Sequence, residues 1–164
     1  MQFDKLNQLL TLIANLGVIA GILFLAIEVR QNTAMMQAQT RDSIADKLID
    51  WQLSLGTDFY TSQAFVTGNL GAEFESTAQE ISYLMLASSN FRIWENEYYQ
   101  FSKGLYEEQE FLPRLNRWKD NIQREDMNYN LIWCLRRDSY SLDFQRLLDS
   151  WIQEIGGCEL VTGR

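Results

Sequence analysis

The feature that most constrains this chain is a charge-free run near its N-terminus. From Leu6 to Ile27 the sequence reads LNQLLTLIANLGVIAGILFLAI, 22 positions without Asp, Glu, Lys or Arg. As a helix at about 1.5 Å per residue it measures about 33 Å, close to the ~30 Å hydrocarbon core of a bilayer. Asp4 and Lys5 precede the run, and Glu28 and Arg30 follow it. A core helix of this length usually keeps a polar face, which is missing here. The run also exceeds the ~7–15 apolar residues of a cleavable signal, and no good pair of small residues for cleavage follows Ile27. The expectation is an uncleaved single-pass anchor over residues 1–29, with the lipid bilayer as its first partner.

Lys and Arg near the ends of a span set its orientation. Lys5 and the terminal amine stand on one side, and Arg30, Arg41 and Lys47 on the other. This modest bias predicts a cytoplasmic C-terminal domain. Within the span, Ala14, Gly17 and Gly21 form a small-residue stripe that lets two helix backbones approach closely. It marks a candidate homo-oligomer contact. Asn15 is the one strongly polar residue in the central run.

The 164 residues suit one folded domain with an appended segment. At 46% hydrophobic and 13% aromatic, the composition supports a packed core. A net charge of −8 without a basic stripe argues against nucleic acid as a partner. Histidine is absent, which removes the commonest general base and zinc ligand. Of the two cysteines, Cys134 and Cys158, a disulfide is one possibility. Two thiols in a chain of this size more often stay reduced in a cytoplasmic setting, so free thiols are expected.

Beyond the anchor the pattern is helical throughout, with no period-two alternation and no repeat. Neither Pro nor Gly occurs between Ile27 and Leu55, and Ile44, Leu48, Trp51 and Leu55 recur at helical spacing. The anchor is therefore predicted to continue as an extension over 30–56, ending at Gly56. A bundle over 57–164 should pack with this extension. Asp58 opens a short helix to Val66, followed by a turn at TGNLG, 67–71. Ser76, with Gln79 as capping-box partner, opens a central helix that stops at Gly104. Its apolar residues form two stripes: Ile81, Leu84, Phe91 and Tyr98, and Tyr83, Ala87, Trp94 and Phe101. Further helices are expected from Glu107 to Arg124, from Asp126 to Arg137 with Leu131, Ile132 and Leu135 inward, and from Ser141 to Ile155. Pro113 lies early enough in its helix to be tolerated, and Gly156 and Gly157 end the last one. The predicted fold class is all-α.

Three segments carry a resemblance: FLAIEVRQNT at 24–33, NFRIWENEYYQFSKGL at 90–105, and Trp133 followed by RRDSYSLDFQRLL at 136–148. In this order they resemble a family of small bacterial single-span membrane proteins. Its members have a VRQNT-like motif after the span and a WEN-like motif in a helical domain. The resemblance covers most of the chain and implies architecture and a bacterial inner-membrane location, not a chemistry. Glu28 departs from it, because related segments tend to have Gln there.

The best polar constellation is Asn90, Arg92, Glu95 and Asn96 on the central helix. Glu95 falls between Phe91 and Tyr98 on an apolar stripe, where burial would raise its pKa and equip it as an acid or base. The commoner reading is an ion pair with Arg92 at i,i+3 that ties helices together. Arg114, Arg117 and Lys119 form a locally basic segment that could contact anionic headgroups or an anionic ligand. Glu107, Glu108 and Glu110 are explained by the dipole at a helix N-terminus, so no metal is expected. No phosphate loop or nucleophile motif is present, so no cofactor or catalytic residue is assigned. The sequence thus reads as a non-enzymatic scaffold or adaptor, with a protein partner it does not name. The alternative is a ligand-gated pore or membrane-disrupting effector, and an enzyme using Glu95 is weaker still. A ring of four or more anchors permits a pore, and a dimer does not.

Overall fold

The computed structural model describes residues 2–124 and 127–162. Seven α-helices follow one another with no strand among the described residues: α1 (Gln2–Thr57), α2 (Phe59–Asn69), α3 (Thr77–Ser102), α4 (Glu108–Gln123), α5 (Tyr129–Arg136), α6 (Leu142–Glu154) and α7 (Gly157–Thr162). A 3-10 turn over Arg137–Ser139 joins α5 to α6. The all-α expectation, a long N-terminal helix followed by a bundle, is what the chain adopts.

The chain divides into two compact units between Gln39 and Thr40. The first is helical and apolar. An 18-residue stretch of it reaches a mean hydropathy of 2.5, long and apolar enough to cross a membrane, and 0% of that stretch is buried. Leu9, Ile13, Leu16, Ile19 and Leu23 are all exposed. The apolar run is therefore not a core helix of this chain.

The second unit holds the core. The C-terminal part of α1 enters it through Ile44, which is buried, and through Leu48 packed beside it. Trp51 donates its indole N–H to the Leu86 carbonyl at 3.2 Å. On α3 the inward line is Tyr83, Ala87, Asn90, Trp94 and Glu97, with Phe91 beside it. These residues recur at spacings of four, three, four and three, a seam that faces one way along a helix. Of the two expected stripes the second is thus the centre, and Ile81 is exposed. Trp94 stacks between Trp118 of α4 at 5.4 Å and Tyr129 of α5 at 5.7 Å. Phe91, Trp133 and Phe144 close around this stack. Burying such rings is the main favourable term available to a bundle of this size.

Helix ends follow local chemistry. The Ser76 hydroxyl accepts from the Gln79 N–H, and the Gln79 amide oxygen accepts from the Glu75 N–H at 2.8 Å, one residue before the usual reach of a capping box. At the other end of α3, Gly104 has φ +71, its N–H reaches the Phe101 carbonyl, and the Leu105 N–H reaches Gln100. This paired closure requires a left-handed residue, which glycine supplies without strain.

Elsewhere the structure corrects the sequence reading. Gly56 does not stop α1; the break falls at Asp58, whose carboxylate accepts from the Thr61 N–H at 2.6 Å and starts α2. Helix α2 continues through Asn69, and the turn comes at Gly71 with φ +62. Gly68 lies inside α2 because the Tyr83 ring packs against it; a Cβ there would come within 2.3 Å of that ring. Asp126, where a helix was expected to begin, lies outside the described residues. In α5 the inward residues are Tyr129, Asn130, Ile132 and Trp133, and Leu135 is exposed. The large aromatics outcompete leucine for the core positions. The chain also does not end its helices at Gly156, since α7 follows.

Candidate functional site

The polar residues grouped along α3 divide between two places. Asn90 points into the core, where its amide donates to the Tyr129 hydroxyl at 3.1 Å. Arg92 and Glu95 instead face the corner between α5 and α6. The Arg92 guanidinium donates to Glu95 at 2.6 Å and to the Ser139 carbonyl, and lies 4.4 Å from the Tyr140 ring centre. The second Glu95 oxygen accepts from the Ser141 N–H at 2.6 Å. Asn96 is half-buried and takes no part in these bonds.

The Ser141 contact has a local reason. Ser141 precedes α6, but its hydroxyl makes no cap bond. A capping box would need Glu or Gln three residues on, and that position is Phe144, fully buried. Glu95 therefore supplies from a neighbouring helix the carboxylate that α6 lacks. Tyr140 adds a bond from its hydroxyl to the Ser88 carbonyl at 3.1 Å. Two of the three segments behind the family resemblance, 90–105 and 136–148, thus meet at this corner.

The expectation of a raised Glu95 pKa does not hold. Burial pushes it up, but the Ser141 N–H and the Arg92 guanidinium outweigh burial and hold it below the ordinary carboxylate value. The carboxylate that burial does raise is Glu97, which the sequence reading passed over. Its side chain is 0% exposed and meets Arg114 at two points, 3.1 and 2.9 Å. Its sequence signal was present: Glu97 continues the Tyr83, Ala87, Asn90, Trp94 seam.

This pairing also corrects the basic segment. Arg114 is committed to Glu97, and Lys119 bonds Glu154 at 2.8 Å. Of the three expected anion contacts, Arg117 alone is exposed and outside these pairs. Glu110 is likewise bonded to Arg41 of α1 at 2.9 Å. A further ion pair joins Arg137 to Asp149, which also accepts from the Trp133 indole at 3.0 Å. At Asp149 burial is outweighed by these donors, and the carboxyl stays below its ordinary value. Among the described residues no group of three or more Cys, Asp or Glu is placed to hold a metal ion.

Cys134 and Cys158 are not free thiols. They form a disulfide with Cα atoms 5.5 Å apart, joining α5 to α7. The pair is 24 residues apart in sequence, and local spacing carries no sign that α7 returns onto α5. Two of the clefts on the bundle differ in character. One of about 240 Å³ is largely apolar, with Phe74, Leu84, Leu131 and Leu135 in its wall. The other, about 520 Å³, is polar and lies beside the disulfide, with Arg137, Asp149, Gln153, Cys158 and Glu159 around it.

Ala14, Gly17 and Gly21 lie in the exposed helix of the first unit, and a Cβ at either glycine would meet nothing within 4 Å. No protein-family model, no curated protein and no solved structure matches the chain.

Proposed function

We propose that this is a single-span membrane protein that works by association: α1 crosses the bilayer and pairs with other copies, and the helical bundle presents a rigid adaptor surface. The observation that carries this reading is the apolar stretch of mean hydropathy 2.5, none of it buried by the chain itself. Exposed apolar surface on that scale needs lipid or protein to cover it. The absence of catalysis belongs to the same reading. It is supported by Glu95 and Asp149, carboxylates bonded at both oxygens and held below their ordinary pKa. A carboxylate so held is a poor proton acceptor.

The bundle is assigned to the oxidising face of the membrane, reversing the orientation expected from charge. Disulfides persist in oxidising compartments and are rare in reducing ones. The charge bias is small, and Arg41, one of its three contributors, is neutralised by Glu110. For a bacterial inner membrane, as the family resemblance implies, that face is the periplasmic one.

Fractionation tests the reading. The full chain should resist alkaline carbonate extraction and run in detergent as two or more copies. A protease added to intact spheroplasts should digest the bundle. Recovery in the soluble fraction without detergent would remove the membrane assignment, and a protected bundle would restore the cytoplasmic one.

A further inference from the structure

The C-terminal helix is attached in an unusual way. Gly156 and Gly157 adopt φ +104 and +82 in succession, a left-handed pair that reverses the chain after α6. Side-chain-bearing residues resist this conformation, so the two glycines form a ready hinge. Helix α7, which begins at Gly157, has six residues, far short of the ~12–15 at which a helix becomes even marginally stable alone. Its position therefore depends on what it is tied to, and the covalent tie is the Cys134–Cys158 disulfide to α5.

That tie forms part of the wall of the polar cleft of about 520 Å³. Gly157, Cys158 and Glu159 make one side, and Arg137 and Asp149 stand on the other. The second side is anchored to the core, since Asp149 holds the Trp133 indole and Trp133 is fully buried. One wall is thus fixed by aromatic packing. The other is joined to α5 by the Cys134–Cys158 bond, and Cys158 itself lines the opening.

We infer that α7 is a redox-released strap: reduction of Cys134–Cys158 by a dithiol frees α7 at its glycine hinge and opens the cleft. A thiolate of the dithiol attacks one sulfur of the pair, and the other departs as a thiolate and takes up a proton. The second thiol of the dithiol then attacks the mixed disulfide. The S–S bond of the protein is replaced by one in the reductant, two electrons pass to the protein, and both cysteines end as thiols. The inference concerns the bundle alone and does not depend on the membrane reading.

The test is hydrogen exchange, read by mass spectrometry on the full chain in detergent with and without dithiothreitol. Alkylation with iodoacetamide confirms that both thiols have been released. Exchange of the α7 amides should rise by about tenfold or more on reduction, while peptides from the centre of α3 stay protected. The Cys134→Ser, Cys158→Ser double variant should exchange like the reduced wild type and ignore dithiothreitol. Unchanged α7 exchange after complete reduction would overturn the inference. So would an equal rise across α3, which would make the bond a staple for the whole fold. Two free thiols in the protein before any reductant is added would also overturn it. If the double variant does not fold, the wild-type comparison decides alone.

Discussion

Glu97 and Arg114 form a two-point ion pair, with the carboxylate wholly buried and the guanidinium at its edge. It bolts α3 to α4 at the end of the seam that begins with Tyr83. Removing one partner of such a pair leaves a charge without compensation in an apolar setting, at a cost of about 3–5 kcal/mol. That is a large share of the ~5–15 kcal/mol that holds a domain together. Glu97→Ala and Arg114→Ala should each lower the urea midpoint strongly. Glu97→Leu combined with Arg114→Met should regain most of the loss, since an apolar pair of similar size needs no partner charges. A double variant as unstable as the singles would show that the pair acts through something other than its charges.

The carboxylates of the bundle should respond to acid in opposite directions. Glu95 and Asp149 are held below their ordinary values, so their stabilisation is present above those values and is lost as pH falls through the depressed ones. Glu97 is raised, so its contribution is fully present below the ordinary 4.5 and is lost as pH rises through its folded value. Urea midpoints measured from about pH 3 to pH 7 should therefore fall less steeply with acid in Glu95→Gln than in wild type. In Glu97→Gln they should fall more steeply. Equal slopes in all three proteins would contradict these assignments.

At the α5–α6 corner, Glu95→Ala removes the carboxylate that accepts from the Ser141 N–H. Loss of a helix cap costs about 0.5–2 kcal/mol, and Glu95→Gln should lose less because its amide oxygen still accepts. Arg92 is more than half exposed, so Arg92→Ala should cost less than Glu95→Ala. Thermal unfolding of the three variants checks the order. A larger loss in Arg92→Ala would place the weight on its contact with Tyr140.

Gly68 is fixed by the Tyr83 ring. Gly68→Ala would gain helix propensity, yet its Cβ would stand 2.3 Å from the ring. Overpacking of this kind costs about 1–3 kcal/mol, more than the propensity returns. The variant should melt below wild type, and a rise in melting temperature would show that Tyr83 can move aside.

In the first unit, Gly17→Ile with Gly21→Ile meets no atom of the chain itself. Any effect therefore reports on association. Contacts between membrane helices are worth about 1 kcal/mol each, so the oligomer in detergent should weaken without vanishing. An undiminished mass would move the interface away from the small-residue stripe.

By itself the sequence determined the one-dimensional features. The charge-free run, the helical spacing of Ile44, Leu48 and Trp51, the Ser76 cap and the Gly104 stop all depend on residues within a few positions of one another, where backbone geometry acts directly. Tertiary structure decided what lies far apart. Glu95 and Glu97 are two residues apart on one helix, yet α3 turns one to the Ser141 corner and the other to Arg114, which gives the two carboxyls opposite pKa shifts. The Cys134–Cys158 bond likewise exists because a glycine hinge folds α7 back onto α5. Local spacing states which face a residue occupies along its own helix. Only packing states what that face meets, because desolvation and pairing are set by the neighbouring helix.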